Sequence, residues 1–289
     1  MIKLTVVIVN YNSGEYLEKC LQSLKNVKGE AEMKIFVVDN ASSDQSINNS
    51  QKKFPEINYI LNSENLGFGK ANNQVLKKLK TEYVLILNPD CEVNSGVLKR
   101  LLEYMEEDPE VGVATAQIKL ANGKIDLTAH RGFPTPWASF LYLLGDNSLY
   151  HLSNKSFKQI HEVDSVSGAF FLTGKSILDK VGLFDEDYFM YAEDIDLCYR
   201  IKKAGFKIMY FPDIEVLHHK GISSGLKKHS QELTRADLET KKRSLDHFYE
   251  TMKIFYKKHY EKIYPAPVNW LIYLGINLKW FLAKRKMTV

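Results

Sequence analysis

Four apolar runs organise the first part of the chain. They cover residues 4–10, 35–39, 57–61 and 83–87. Continuous apolar runs are typical of strands that are covered on both faces in a parallel sheet. Helices are predicted between them over 14–24, in the stretch that ends at Phe54, and over 68–80. This alternation with short connections predicts an α/β domain with a doubly wound, mostly parallel sheet flanked by helices.

The second half of the chain is less regular. Residues 113–120 and 123–127 are predicted to be two strands on either side of the turn 121–123. Residues 128–161 are rich in proline, aromatic, serine and asparagine residues without a clear period, which predicts a mobile or variable loop region. The apolar run 166–172 then returns to the core.

Two further helices are predicted at the end of the chain. Residues 238–255 carry apolar side chains at steps of three, four and seven, as in an amphipathic helix. Residues 268–283 are strongly apolar, contain Trp270 and Trp280, and precede a Lys-Arg-Lys run. That segment is too short to span a bilayer comfortably. It is interpreted either as an interfacial helix at a membrane or as a helix docked on the domain.

Composition narrows the class of protein. A length of 289 residues, with 45% hydrophobic and 12% aromatic residues, predicts a well-packed globular chain with one large domain and appendages. The formal net charge of +4 is slight, and no nucleic-acid-binding motif accompanies it, so nucleic acid is not an expected partner. The basic runs late in the chain are interpreted as solvated helix faces or as a contact with an anionic membrane.

The cysteine pattern and the first residues of the sequence predict a reducing compartment. Cys20, Cys91 and Cys198 are odd in number, widely separated and without a CxxC pair. This pattern predicts reduced thiols rather than disulfides or a zinc site. No signal peptide or full membrane span is recognisable, so we expect a cytoplasmic protein.

Polar residues follow each of the four early strands. In parallel α/β sheets, ligands bind at the carboxyl ends of the strands. Turn chemistry alone would place some Asn, Asp and Gly there, but four such ends in succession indicate a polar ligand. The residues concerned include Asn10, Tyr11, Asn12, Asp39, Asn65, Gly67, Asn88, Asp90 and Glu92.

An acidic cluster lies within the aromatic segment 188–200. Asp196 and Arg200 are separated by one helical turn, which predicts an ion pair. Glu193 and Asp194 fall in the first turn of a predicted helix, where the helix dipole favours carboxylates. On its own, the segment is compatible with either a structural ion pair or a catalytic site.

Two other segments indicate a metal site. Asp90 and Glu92 lie just past a buried strand, and carboxylates are preferred ligands of Mg²⁺ and Mn²⁺. His218 and His219 end an apolar strand downstream, so a histidine is a plausible third ligand.

Taken together, these segments resemble glycosyltransferase family 2, the inverting sugar-nucleotide transferases with the GT-A fold. The resemblance covers most of residues 1 to about 225. The Asn88-Pro89-Asp90 version is similar to the rhamnosyltransferase-like branch that builds bacterial surface polysaccharides. The matching segments, in the family's order, are 7–12, 37–44, 64–73, 87–90, 167–169, 191–200 and 218–223.

The resemblance implies a division of the chain. Residues 1–225 would form the GT-A domain, with a nucleotide-sugar-binding half at 1–92 and an acceptor and catalytic half at 93–225. Residues 226–289 would form a C-terminal helical extension that either associates with a membrane or docks on the domain.

The resemblance also implies the donor site. Asp39 would accept the N3–H of uracil or thymine, and Asn10, Tyr11 and Asn12 would line the nucleotide pocket. The loop against the nucleoside and diphosphate would be shaped by Asn65, Gly67 and Asn72.

The resemblance also implies which residues take part in the reaction. Asp194 would be the general base, and Glu193 a contact to the donor or acceptor sugar. Asp90 would hold Mg²⁺ or Mn²⁺, with Glu92 alongside. His218 would complete the coordination and is preferred to His219, because its spacing to residues 221 and 223 fits the family's H-x-x-G-x-S pattern. Many family members carry aspartate where Glu92 stands, which leaves the preferred metal open.

The implied reaction is a single inverting transfer from a nucleoside-diphosphate sugar to a glycan or lipid-linked glycan, the latter at the inner face of the plasma membrane. The first expectation for the donor is dTDP-rhamnose, and a UDP-hexose is the second. The alternative is a catalytically silent sugar-nucleotide-binding or scaffold protein of the same fold. A dinucleotide-binding oxidoreductase is disfavoured, because Gly67-Phe68-Gly69 follows the third strand rather than the first.

Overall fold

One sheet of nine strands forms the centre of the computed structural model, which describes residues 2–219 and 238–288. The strands are β1 (Lys3–Asn10), β2 (Glu32–Asp39), β3 (Asn58–Leu61), β4 (Tyr83–Leu87), β5 (Cys91–Val93), β6 (Val111–Leu120), β7 (His161–Glu162), β8 (Phe170–Gly174) and β9 (Lys207–His218). The helices are α1 (Tyr16–Asn26), α2 (Ser46–Lys53), α3 (Phe68–Leu76), α4 (Val97–Glu107), α5 (Pro136–Leu143), α6 (Lys175–Val181), α7 (Glu193–Lys203), α8 (Leu238–His259) and α9 (Ala266–Thr288).

The first half of the sheet is parallel, as the apolar runs predict. Strands β3, β2, β1 and β4 pair in this order, all parallel. Every residue of β1 after Lys3 is buried, which accounts for the absence of polar alternation in that run. The α/β class and the doubly wound first half are therefore confirmed.

The second half of the sheet is mixed. Strand β8 runs antiparallel to both β4 and β6, whereas β6 and β9 are parallel to each other. The short strands β5 and β7 pair antiparallel with β9. The prediction of a mostly parallel sheet thus describes the first half of the sheet, while the half that follows is mixed and mostly antiparallel.

The predicted strand at 123–127 is not formed. Lys119 and Ile125 make one isolated bridge, and the chain then enters a 3-10 turn at Leu127–Ala129. Asp126 is the physical reason, because its Oδ1 accepts a hydrogen bond from the Thr128 backbone amide at 3.0 Å and starts the turn.

The predicted loop region at 128–161 contains a helix. α5 begins with Pro136 in its first turn, and the Thr135 hydroxyl accepts from the Ala138 amide at 3.1 Å. Thr-Pro is a recognisable start of a helix, so this element was predictable from its cap even though its short apolar pattern has no clear period.

The C-terminal helices pack on the domain and on each other. Phe255 and Tyr256 of α8, together with Tyr260 just after it, form a buried cluster with Tyr188 and Ile195. α9 packs against α8, where the Trp280 indole donates to Asp246 at 2.7 Å and the Tyr256 hydroxyl donates to Asn269 at 2.6 Å. Among the helices in residues 2–219 and 238–288, none combines the length and the apolar character that a transmembrane span requires.

Candidate active site

The ends of β1 and β2 hold Asp39 in a fixed orientation. Asn10 and Asp39 are register partners, and the Asn10 amide donates to Asp39 Oδ1 at 2.7 Å. The Ser42 hydroxyl donates to the same oxygen at 2.6 Å, and the Ser42 amide donates to Oδ2 at 3.0 Å. A carboxylate oxygen accepts about two hydrogen bonds. Oδ2 therefore has capacity for one more N–H donor.

The loop after β1 is fastened to the loop after β2 by Asn12. The side-chain oxygen of Asn12 accepts a hydrogen bond from the Ser43 backbone amide at 2.8 Å, and the backbone amide of Asn12 donates to the Ser42 hydroxyl at 2.9 Å. Asn12 has a φ of 50°, a conformation that asparagine tolerates better than most residues. Tyr11, between these two polar residues, is half-buried.

The loop after β3 packs against the acidic segment. The Asn65 side chain accepts from the Gly67 amide at 2.9 Å, and the Phe68 amide donates to the Phe189 carbonyl at 2.9 Å. Asn72 is fully buried in α3, where it donates to the Phe68 carbonyl at 3.0 Å. Its contact with a nucleotide remains a prediction.

Gly67 is required by this packing. Its φ is 82°, and a Cβ atom at this position would lie 2.3 Å from the Phe189 carbonyl oxygen. We expect Gly67→Ala to lower the free energy of unfolding by about 1–3 kcal/mol from backbone strain alone. Urea denaturation measures this, and Gly96→Ala is the matched control because its φ is also positive but the space around it is open. Equal losses in the two variants would contradict the contact with Phe189.

Asp90 and His218 form the core of a candidate metal site. Cys91 of β5 pairs with His218 of β9, which brings Asp90, the residue before the strand, close to the histidine. Asp90 Oδ1 lies 3.1 Å from His218 Nε2, and His218 Nδ1 lies 3.4 Å from Asp126 Oδ2. All three residues in these ion pairs are buried. Burial lowers the pKa of His218, but the two carboxylates outweigh it and raise this pKa to about 9.

The other side chains near Asp90 are less suitable ligands. Cys91 Sγ lies in the same group of ligand atoms, all within 4.8 Å of one another. Burial raises the pKa of this thiol well above its ordinary value, so it stays protonated. Glu92 Oε1 instead lies 2.7 Å from His219 Nε2. Glu92 would have to leave that pair to bind a metal, and its role as a ligand remains a prediction. The predicted glycine at 221 and serine at 223 lie outside the described residues.

Asp194 is anchored at the start of α7. The Ile195 amide donates to its Oδ1 at 2.8 Å, while the Gly168 amide, at 3.2 Å, and the Arg131 guanidinium, at 3.1 Å, donate to its Oδ2. The Asp194 and Arg131 side chains are only 13% and 9% exposed, so this is a largely desolvated ion pair. Charge-assisted hydrogen bonds of this kind fix a carboxylate in one orientation.

Glu193 differs chemically from its neighbour. Burial and the charge of Asp194 raise the pKa of Glu193 to about 8, and its Oε2 lacks a hydrogen-bond partner. The raised pKa favours the protonated carboxyl at neutral pH, and a protonated carboxyl can donate a hydrogen bond to a sugar. Tyr191 and Ala192, just before it, have φ values of 72° and 64°. Backbone in this region costs about 1–3 kcal/mol per residue and is characteristic of functional sites.

The residues 168 and 169 connect the two parts of the site. Gly168 donates to Asp194 as described, and the next carbonyl, that of Ala169, accepts from the Asn88 amide at 3.0 Å. Asn88 stands two residues before Asp90. The candidate base and the candidate metal ligand are thus attached to the same short segment of backbone.

The predicted ion pair between Asp196 and Arg200 is present, with 2.8 Å between Oδ2 and Nε. Three contributing residues were not recognised in the sequence: Arg131 beside Asp194, Asp126 beside His218, and a second partner of Asp196, His259. Asp126 lies in a predicted strand that is not formed, Arg131 lies in the stretch without regular periodicity, and His259 lies on a distant helix. None belongs to a motif that could have identified it.

Comparisons with known proteins identify the family of the chain. Residues 3–236 match the family described as glycosyltransferase like family 2. The chain is 30% identical over 240 residues to N-acetylglucosaminyl-diphospho-decaprenol L-rhamnosyltransferase of Mycobacterium tuberculosis, covering 77% of this chain and 78% of the relative. It is 28% identical over 223 residues to rhamnosyltransferase WbbL of Escherichia coli, covering 74% of this chain and 82% of the relative.

A solved structure supports the fold. The crystal structure of GalNAc-T7 with UDP, GalNAc and Mn²⁺ aligns with a TM-score of 0.58 at 18% identity, over 90% of this chain. This chain spans little more than half of that structure, 58% of its length. The similarity shows the GT-A fold, with its curled mixed sheet flanked by helices.

Proposed function

Because the chain belongs to the glycosyltransferase-like family 2, we propose that it is a metal-dependent, inverting glycosyltransferase. It transfers a sugar from a nucleoside diphosphate to a glycan acceptor. The observation that carries this proposal is the attachment of Asp194 and the Asp90 loop to the same backbone at residues 168 and 169. A catalytically silent protein would have no need for a buried, oriented base next to a candidate metal site, so that alternative is not favoured.

In the proposed mechanism Asp194 takes the proton from an acceptor hydroxyl as its oxygen attacks the anomeric carbon. Arg131 holds the carboxylate in place and stabilises its charge before that proton arrives. Protonated Glu193 donates a hydrogen bond to a sugar oxygen. The attack occurs opposite to the leaving diphosphate, so one displacement inverts the configuration.

The donor is held at the ends of β1 to β4. Asp39 Oδ2 accepts the base N3–H, while Asn10 and Asn12 keep the surrounding loops in position.

The ligand atoms of Asp90 and His218 fit Mg²⁺ or Mn²⁺, since two ligand atoms 3.1 Å apart can share one ion. When bound, such an ion neutralises charge on the departing diphosphate.

We assign residues 1–92 to binding of the nucleotide-sugar donor and residues 93–225 to the acceptor and to catalysis. The boundary with the C-terminal extension, residues 226–289, lies outside the described residues.

Asp126 orients His218 for this role. A histidine ligand usually donates its other ring N–H to a carboxylate, and losing that partner costs about 10–100-fold in metal affinity. We therefore expect Asp126→Asn to weaken Mn²⁺ binding by about that factor, measured by electron paramagnetic resonance titration. Asp213→Asn, on an exposed ion pair, is the control. Unchanged Mn²⁺ affinity in Asp126→Asn would show that His218 does not depend on this carboxylate.

For the donor we propose dTDP-rhamnose, with a UDP-hexose second, and for the acceptor a glycan or lipid-linked glycan. Both rhamnosyltransferase relatives favour this donor, and the name of the mycobacterial relative favours a diphospholipid-linked acceptor. The test is thermal denaturation with a panel of sugar nucleotides, with and without Mn²⁺. A donor at a hundredfold its Kd stabilises the protein by about 2.7 kcal/mol. The absence of a shift with every thymidine and uridine donor would overturn the assigned pocket.

We further propose that α9 contacts an anionic membrane at the cytoplasmic face. It has no acidic residue, and it exposes Trp270, Leu271, Leu278 and Phe281, each by 52–64%. Apolar and aromatic side chains with basic flanks suit the bilayer interface. We expect co-sedimentation with phosphatidylglycerol vesicles but not with phosphatidylcholine vesicles, and its loss in the double variant Trp270→Ser, Phe281→Ser. Equal sedimentation of this variant would exclude α9 as the contact.

A further inference from the structure

The acidic segment that carries the candidate base is held from outside the family region. The family match ends at residue 236, whereas α8 begins at Leu238 and packs along residues 185–196. We propose that α8 is a positioning element of the active site, and that Lys258 and His259 hold the segment in its catalytic conformation. This inference rests on the proposed function, because it concerns the same base.

The contacts are distributed along the whole segment. Before the strained residues, Lys258 Nζ bonds Asp185 and lies 2.6 Å from Asp187 Oδ2. It also lies over the Tyr188 ring, 5.3 Å from the ring centroid. A single α8 side chain therefore connects three residues that lead into the acidic cluster.

Aromatic stacking continues the contact through the strained residues. The rings of Phe189 and His247 stack at 4.4 Å with an interplanar angle of 26°. The Tyr191 ring meets Phe248 edge-on, with 5.7 Å between the ring centroids. Tyr191 is the first of the two successive residues with positive φ in this segment, so α8 contacts the side chain of a strained residue two positions before Glu193.

On the C-terminal side of the candidate base, His259 of α8 pairs with Asp196. Its Nε2 lies 2.6 Å from Asp196 Oδ1, and Asp196 is 1% exposed. The other carboxylate oxygen bonds Arg200, which also donates to the carbonyls of residues 181, 182 and 183. Asp196 thus joins α7 to α8, two residues after Asp194.

This arrangement has a physical reason. Positive φ values at two successive non-glycine residues persist only where surrounding contacts determine the conformation. On one side the segment is held by the Phe68 amide at the Phe189 carbonyl. On the other side, α8 contacts the segment from Asp185 to Asp196. Without α8, the backbone on both sides of Asp194 would lose these contacts, and the carboxylate would be held only by its own bonds to Arg131 and to the Gly168 and Ile195 amides.

Point variants test the proposal without removing the helix. Lys258→Met breaks a partly exposed ion pair, so its effect on stability should be small. His259→Ala removes the contact with Asp196, and His259→Gln preserves it, because the glutamine amide can donate to the same carboxylate. Lys257→Met is the matched control, since it removes an adjacent exposed charge on the same helix.

We expect faster amide hydrogen exchange over residues 185–196 in Lys258→Met and His259→Ala. In turnover of dTDP-rhamnose, kcat should fall by about 10–100-fold, as expected for a small misplacement of a reacting group. The Kd for dTDP, measured by calorimetry with Mn²⁺, should not change. His259→Gln should recover most of kcat, and Lys257→Met should match the wild type in every measurement.

Two results would overturn the proposal. Unchanged amide exchange in both Lys258→Met and His259→Ala would show that α8 does not hold the segment, whichever donor is used. Faster exchange with an unchanged kcat would show that the contact is only structural. If the wild type binds no dTDP and turns over no sugar nucleotide, the proposed function itself fails, and the exchange measurement still decides whether α8 holds the segment.

Discussion

Replacing Asp194 by asparagine should lower kcat for sugar transfer by about 10²–10⁴-fold, the range that a positioned general base contributes. Asparagine preserves the shape of the side chain and can still accept from the Gly168 amide. It cannot accept the proton of the acceptor hydroxyl. The Kd for dTDP in the presence of Mn²⁺ should therefore stay close to that of the wild type, while turnover of the donor identified in the sugar-nucleotide panel is lost.

The neighbouring carboxyl provides the matched control. Because the raised pKa of Glu193 favours its protonated form at neutral pH, Glu193→Gln replaces one neutral hydrogen-bond donor by another. We expect this variant to keep much more activity than Asp194→Asn. Larger loss of kcat in Glu193→Gln than in Asp194→Asn would reverse the roles assigned to the two residues.

Stability must be followed in the same experiment. Removal of one partner from a buried ion pair costs about 3–5 kcal/mol, and Asp194→Asn leaves the Arg131 guanidinium buried beside an uncharged group. The charge of Asp194 raises the pKa of Glu193 in the wild type, so its removal favours ionisation of Glu193, which can then compensate Arg131. Denaturation at the assay temperature shows whether the variant remains folded while its activity is measured.

The residues that were predictable from the sequence are those whose role depends on local spacing. Asp196 and Arg200 pair because they are one helical turn apart, and the structure confirms the pair. Asn10 and Asp39 end adjacent parallel strands, so their proximity follows from the sheet itself. The family's motifs then supply roles that spacing alone leaves open.

The residues that were missed depend on how distant segments meet. Arg131 lies in a stretch without a period, yet it supplies the counter-charge of Asp194 across 63 positions of the chain. Asp126 starts a turn where the alternation predicted a strand. His259 meets Asp196 only because α8 folds back over α7. No local pattern records such contacts, because each partner has an ordinary sequence environment of its own.

Replacing Asp90 by asparagine should abolish measurable Mn²⁺ binding at the site and lower kcat by about 10³-fold, since metal stabilisation of a departing diphosphate is worth several kcal/mol. The fold should tolerate the change, because His218 keeps Asp126 as a partner at 3.4 Å. Electron paramagnetic resonance titration of Mn²⁺ with dTDP measures the first effect, and donor turnover measures the second.

The variant Glu92→Gln distinguishes the contributions of Asp90 and Glu92 to metal binding. Glu92 lies 2.7 Å from His219 rather than among the ligand atoms around Asp90. If that pair persists when Mn²⁺ binds, Glu92→Gln retains most of the Mn²⁺ affinity and Asp90 is the essential carboxylate. If Glu92→Gln loses Mn²⁺ as completely as Asp90→Asn, Glu92 leaves His219 on metal binding and both carboxylates of the segment serve as ligands. Retention of Mn²⁺ by Asp90→Asn would place the metal elsewhere and remove the basis for a metal-dependent transfer at this site.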